Sequence, residues 1–511
     1  MRLLATAALL TLVSLSATAA DPEPWGIRAE DLLGHIRYLA SDEMRGRGNG
    51  SPELTRAGTY VAEQFAAAGL EPGGEDRGWF QPFELVAGLD VGARNGVTIR
   101  HRGTTIALGL GSSYYPLAAP AREVTAGPSA ELTNLPIVFA GYGLAVSSAG
   151  YDDYGRVDVS GKAVLVFSHE PQEQNASSVL NGARPVPQTT LQAKAALARQ
   201  KGAKVLLVVS DPSHRADQAD YRLFAADPDA EDHGIPVLRV RRSEMQPLIE
   251  AFGLDGVARM IDMDLVPRSR ELVGASLDYV ESLTKNRRTV RNVVGILRGS
   301  DPARAGEAIV IGAHYDHVGI GGRLSVTPDR TGEIHNGADD NASGTASIIE
   351  IARAAARARA RFPRTLIFAA FAGEERGLLG SAHYVMSPPV PVADTVAMLN
   401  LDMVGRARGS VDISGLEDAP SMEADLAAAA ASSPLDIKRQ GPGAGRSDDW
   451  NFQARRVPAI NFFTGFHGDY HRPSDDWDRI DAAGTQRVAS LALELAARVA
   501  ARPDRPAFVR R

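Results

Sequence analysis

The sequence predicts an α/β protein: a mostly parallel mixed sheet covered by helices on both faces, with a smaller α/β domain inserted into it. Three observations carry that expectation. Runs such as AIVIGAH, TLIFAAF and VAMLNLDM are apolar at almost every position, as strands buried on both faces are. Stretches with helical spacing separate them, which is the alternation a parallel sheet requires. A second, self-contained series of strands and one helix lies between Ile137 and about Val266.

The elements follow in order. EDLLGHIRYLASDEM and ELTRAGTYVAEQFAAAGL carry apolar residues at helical spacing, with Asp or Ser and Pro near their starts. From 80 to 135 the pattern breaks into short apolar pieces divided by Gly and Pro. The middle series reads strand PIVFAG, turn-rich YDDYGRVDVSG, strand KAVLVFS, helix TLQAKAALARQKG, then strands AKVLLVVS and IPVLRV. VRNVVGIL opens the last series, which continues through AIVIGAH, TLIFAAF, VAMLNLDM and PAINFF. The expected division is 25–110 and 280–505 for the larger domain, with 111–279 inserted between them. The helices of the first piece need the later sheet to cover their apolar faces.

A chain of 511 residues can bury a large core and form more than one domain. Its 55 basic residues against 62 acidic ones are spread without long like-charge runs, which excludes a nucleic-acid footprint. The start, MRLLATAALLTLVSLSATAA, has Arg2, an apolar run and an A-x-A site. It reads as a secretory signal over residues 1–20, too short to span a bilayer, and predicts a secreted or periplasmic protein free of the membrane once the signal is removed. There is no cysteine, so a metal site must use His, Asp and Glu.

Chemistry collects where the last series of strands ends. GAHYDHVG supplies His314 and Asp316, and HNGADDNASGTAS supplies Asp339 and Asp340 ahead of a helix. FAGEERGLLGS places Glu374 and Glu375 side by side; NLDMVG places Asp402 in an apolar run; GDYHRPSDDWD brings Tyr470 and His471. Singly, each has a plain explanation as a helix cap, an acidic turn or a polar loop. Asp402 is the exception, because a carboxylate flanked by Leu401 and Met403 requires a compensating charge. Several such residues at one edge of one sheet favour a metal site. Two imidazoles and three carboxylates suit two ions, zinc first, with cobalt or manganese as substitutes. The H-x-D spacing lets Asp316 hold His314 by its other ring nitrogen.

Taken together, GAHYDHVG, GADDNASG, FAGEERGLLGS, LNLDMVG and YHRPSDD resemble the zinc aminopeptidases of the M28 type. The stretch GYG…YDDYGRVDVSGKAVLVFSHEP is similar to the protease-associated (PA) insert that some of them carry. The resemblance implies peptide substrates and two zinc ions. His314 and Asp402 would hold one, Glu375 and His471 the other, and Asp340 would bridge. It implies that Glu374 is the general base for a hydroxide bridging the metals, and that Tyr470 hydrogen-bonds the developing oxyanion. GPGAGRSDDWNF resembles the family's G-R-S-D-H loop, making Arg446 a candidate for substrate contact, although Asp449 stands where His is common. A carboxypeptidase or dipeptidase on the same site, a non-catalytic binding protein and a glutaminyl cyclase are the other readings of this scaffold.

Overall fold

A computed structural model describes residues 24–118, 130–180, 186–214, 234–321, 324–326, 332–441 and 447–509. The expected signal segment and Arg446 lie outside the described residues.

The strands Thr365–Phe371, Ala308–His314, Thr395–Leu401 and Ala459–Phe463 lie side by side in that order, all parallel. The first three are buried at every position, which explains their uniform hydrophobicity. Ser410–Ser414 joins Ala459–Phe463 antiparallel and Asp436–Arg439 closes that side. On the other side Leu283–Leu297 pairs antiparallel with Thr365–Phe371 and with the outer strand Phe80–Val91. Pro82 is tolerated there because an outer strand leaves one row of donors unused.

Helices Ala29–Leu39, Pro52–Ala67, Gly344–Arg357 and Ala482–Ala501 cover one face. The first packs directly on the last two, so the N-terminal piece completes this sheet. Leu379–Met386 and Asp449–Ala454 cover part of the other face through Tyr384, Val385 and Phe452. Because the four central strands run one way, their carboxyl ends share one edge.

The insert has its own eight-stranded sheet with a core on each face. Its beginning differs from the expected boundary at 110. Gly96–His101 and Thr104–Leu108 form a hairpin within the insert's sheet, paired through Arg270–Glu281, and Val97 and Ile99 are buried in its core. The chain changes sheets near Gly92, whose N–H donates to Ser282 O at 2.8 Å while Asn95 Oδ1 accepts from Ser282 N at 2.8 Å. Short pieces divided by Gly and Pro conceal this, because pairing across some 180 residues leaves no local mark. Among the described residues no helix is long and apolar enough to cross a membrane.

Candidate metal centre

The shared strand edge gathers seven side chains. The ligand atoms of His317, Asp340, Glu375 and His471 lie within 4.8 Å of one another, and so do those of His314, Glu374 and Asp402. Asp340 joins the two groups. Its Oδ1 is 3.3 Å from His314 Nε2 and its Oδ2 is 3.2 Å from His471 Nε2. His314 Nε2 also lies 3.4 Å from Asp402 Oδ1 and 3.9 Å from Glu374 Oε2, and His471 Nε2 lies 3.1 Å from Glu375 Oε2.

Local structure explains each placement. His314 is the last residue of its strand, and Asp402 follows directly on another, its N–H donating to Phe462 O at 3.0 Å. Asn341 ties the Asp340 turn to that second strand end: its Nδ2 donates to Leu401 O at 3.0 Å and its Oδ1 accepts from Met403 N at 3.2 Å. Asp475, fully buried, accepts from the N–H groups of Asp339 and Asp340 at 3.0 and 3.1 Å and is itself held by Arg406 at 3.0 Å. Asp339 is not among the clustered ligand atoms; it accepts from Gly405 N at 2.6 Å and faces His467 Nε2, outside the cluster, at 3.0 Å.

The carboxylate of Asp316 lies within ion-pair reach of His314, on the side of its other ring nitrogen, and has closer partners besides. The main-chain oxygen of Asp316 is 3.2 Å from His314 Nδ1, while the carboxylate stands 3.7 Å away. That carboxylate also accepts from the N–H groups of Glu374 and Glu375 at 3.2 and 3.3 Å and from Asn49 Nδ2 at 2.6 Å. It therefore fixes the turn that splays the two glutamates. Glu375 points between His471 and His317; Glu374 points toward His314. Tyr470 stacks on His471 with ring centroids 3.9 Å apart. Burial, then the charges of Asp340 and Glu375, push its hydroxyl far above the usual tyrosine range, so it stays a donor.

His317 is absent from the sequence-derived set. It is fully buried, its Nδ1 lies 2.8 Å from Glu375 Oε1, and its Nε2 has no hydrogen-bond partner among the described residues. The signal was present, since His317 directly follows Asp316 in GAHYDHVG. Ser447 is a second addition: its hydroxyl donates to Asp402 Oδ2 at 2.6 Å and accepts from Asn400 Nδ2 at 2.7 Å. Asp449, two residues further on, packs against Gln453 at 2.9 Å, and burial pushes its carboxyl up to about 8.

The electrostatics express an excess of negative charge. Burial opposes ionisation of Asp340, yet His314 and His471 outweigh it and hold the carboxyl well below the usual range. Burial likewise opposes Glu375 and Asp340 repels it, but His471 and His317 bring it to about 2. The imidazole of His471 is disfavoured as a cation by burial but driven up to about 11 by Glu375 and Asp340. Glu374 goes the other way: burial, with Asp402 and Glu375 adding to it, raises its carboxyl well above normal.

This donor set fits zinc. It contains only imidazole nitrogens and carboxylate oxygens. The separations of 3.1–3.4 Å between the closest ligand atoms match the ~3.3 Å edge of a tetrahedron with metal–ligand bonds of about 2.0–2.1 Å.

Residues 292–496 match the model of peptidase family M28. This part of the chain belongs to peptidase family M28. A probable zinc metalloprotease of Leptosphaeria maculans is 39% identical over 121 residues, 24% of this chain and 26% of that protein. Leucine aminopeptidase 1 of Arthroderma gypseum is 36% identical over 115 residues, 22% of this chain and 29% of its own. The chain thus spans under a third of the length of these relatives. An aminopeptidase from Aneurinibacillus sp. strain AM-1 shares the fold across both domains, with a TM-score of 0.57 and 21% identity over 95% of this chain and 96% of that one. The M28 domain contains every strand whose end contributes to the cluster.

Proposed function

We propose that the chain is a dinuclear zinc aminopeptidase, with cobalt or manganese able to replace zinc. The observation that carries this reading is the position of Asp340, whose two oxygens face two different histidines. His314 and Asp402 would hold one ion, His471 and Glu375 the other, with His317 beside the second. When bound, such a pair supplies Lewis acidity that polarises a carbonyl and acidifies water.

The protein groups have separable tasks. Glu374 accepts the proton of the attacking water and delivers it to the leaving nitrogen, which suits a carboxyl raised by burial. Tyr470 donates from its hydroxyl to the oxygen that gains charge. Asp316 and Asp475 keep the glutamate turn and the Asp340 turn in place. The names of the zinc metalloprotease and leucine aminopeptidase relatives support the same reading. The leader-like first twenty residues support export, tested by N-terminal sequencing of the protein recovered outside the cytoplasm.

The test pairs two neighbours. Glu374→Gln keeps shape but cannot take a proton, so turnover should fall about 10²–10⁴-fold with zinc content unchanged. Glu375→Gln should weaken zinc binding as well. Normal turnover in Glu374→Gln contradicts the mechanism. Comparing free-amino with N-acetylated peptides separates an aminopeptidase from a carboxypeptidase.

A further inference from the structure

The cavity at the metal cluster has a volume of about 760 Å³ and extends beyond the cluster along the neighbouring strands. The row of residues across those strands gives its layout. Leu401 pairs with Phe462, which places Asp402 beside Phe463, and Phe463 pairs with Asp412. With strands about 4.8 Å apart, the Asp412 backbone stands roughly 10 Å from that of Asp402. Alternation then sorts the side chains. Val411, Ile413, Ile460 and Phe462 enter the core on one face, whereas Asp412, Ser414, Asn461 and Phe463 line the cavity on the other.

Phe463 stands between the cluster and Asp412, and Met403, Phe466 and Tyr470 line the same cavity together with the polar Gln440 and Asn461. Asp412 itself is half-buried. The cation in register with it, Lys438, donates instead to Ser410 Oγ at 3.1 Å, and Arg439 is taken by Glu423. Among the described residues Asp412 has no ion-pair partner. A cavity with aromatic and Met walls and a carboxylate two strands from the cluster complements a side chain with a long aliphatic stem and a cationic head. The substrate's α-ammonium group is attached beside the scissile carbonyl and stays near the cluster, too close to reach Asp412.

We propose that Asp412 selects substrates whose N-terminal residue is lysine or arginine. The inference rests on the aminopeptidase reading and specifies its substrate class. It is tested on the zinc-reconstituted full chain with p-nitroanilides of lysine, arginine and norleucine, the last an uncharged match for the lysine stem. The quantity read is the ratio of kcat/KM for lysine over norleucine. A half-buried charge pair predicts a ratio of at least about threefold, falling toward one in Asp412→Asn. Asp412→Lys should bring the ratio below one, which keeps the test decisive if the first variant folds poorly. A wild-type ratio near one, or variants that leave it within about twofold, overturns the role of Asp412 while norleucine hydrolysis preserves the aminopeptidase reading. Failure to hydrolyse any of the three with zinc bound overturns that reading, and this inference with it.

Discussion

Both sheets of this chain end their apolar parallel strands in buried charge, and they balance it differently. In the insert, Lys194 is fully buried where Ala163–Phe167 ends, donating to Phe167 O at 3.0 Å and His169 O at 2.7 Å. Asp153 nearby accepts from Tyr142 N, Leu144 N and the Tyr151 hydroxyl at 3.0, 3.1 and 2.8 Å. Burial brings both groups toward neutrality, Lys194 down to about 7 and Asp153 up to about 7. Hydrogen bonds and mutual charge satisfy that site from within. At the M28 edge four carboxylates face three imidazoles. Two divalent ions would cancel the four negative charges and leave the imidazoles neutral, as metal ligation requires. Buried charge satisfied within the protein builds structure; buried charge in excess invites metal.

Removing the metal should have the largest effect. Chelation should abolish turnover and lower Tm by about 5–10 °C, both restored by added zinc, because an ion that binds only the native state at a hundred times its Kd adds about 2.7 kcal/mol. Next comes Asp475→Asn, which loosens the Asp340 turn without touching a ligand atom. Zinc affinity should fall about 10–100-fold in a competition titration, and turnover at saturating zinc should recover in part. The smallest effect on the metal is expected from Lys194→Met. Stability should drop by about 1–3 kcal/mol in denaturant unfolding because the buried Phe167 and His169 carbonyls lose their donor, while zinc content per folded chain stays unchanged. A loss of zinc in that variant would remove the contrast between the two edges.

Much of this was legible in the sequence because it is written locally. TLIFAAF and AIVIGAH declare buried parallel strands, and the motifs at their ends declare the edge that carries chemistry. Asp402 was conspicuous as a carboxylate inside an apolar run. What escaped depends on distant pairing. The hairpin from Gly96 to Leu108 joins the insert through a strand near residue 275. The roles of Asp475 and Ser447 arise from loops remote in sequence from the residues they steady. The second task of the Asp316 carboxylate escaped because H-x-D spacing cannot show that a turn some 58 residues later offers two N–H groups.

The central claim is that two half-sites share Asp340. It is tested most directly by counting zinc ions, and their affinities, in the wild-type chain and in Asp402→Ala, His471→Ala and Asp340→Ala. The wild type should bind two ions per chain. Asp402→Ala and His471→Ala should each weaken chiefly one, and Asp340→Ala should weaken both together. A single ion in the wild type, or an Asp340→Ala variant that loses one ion and holds the other at full affinity, would contradict the account.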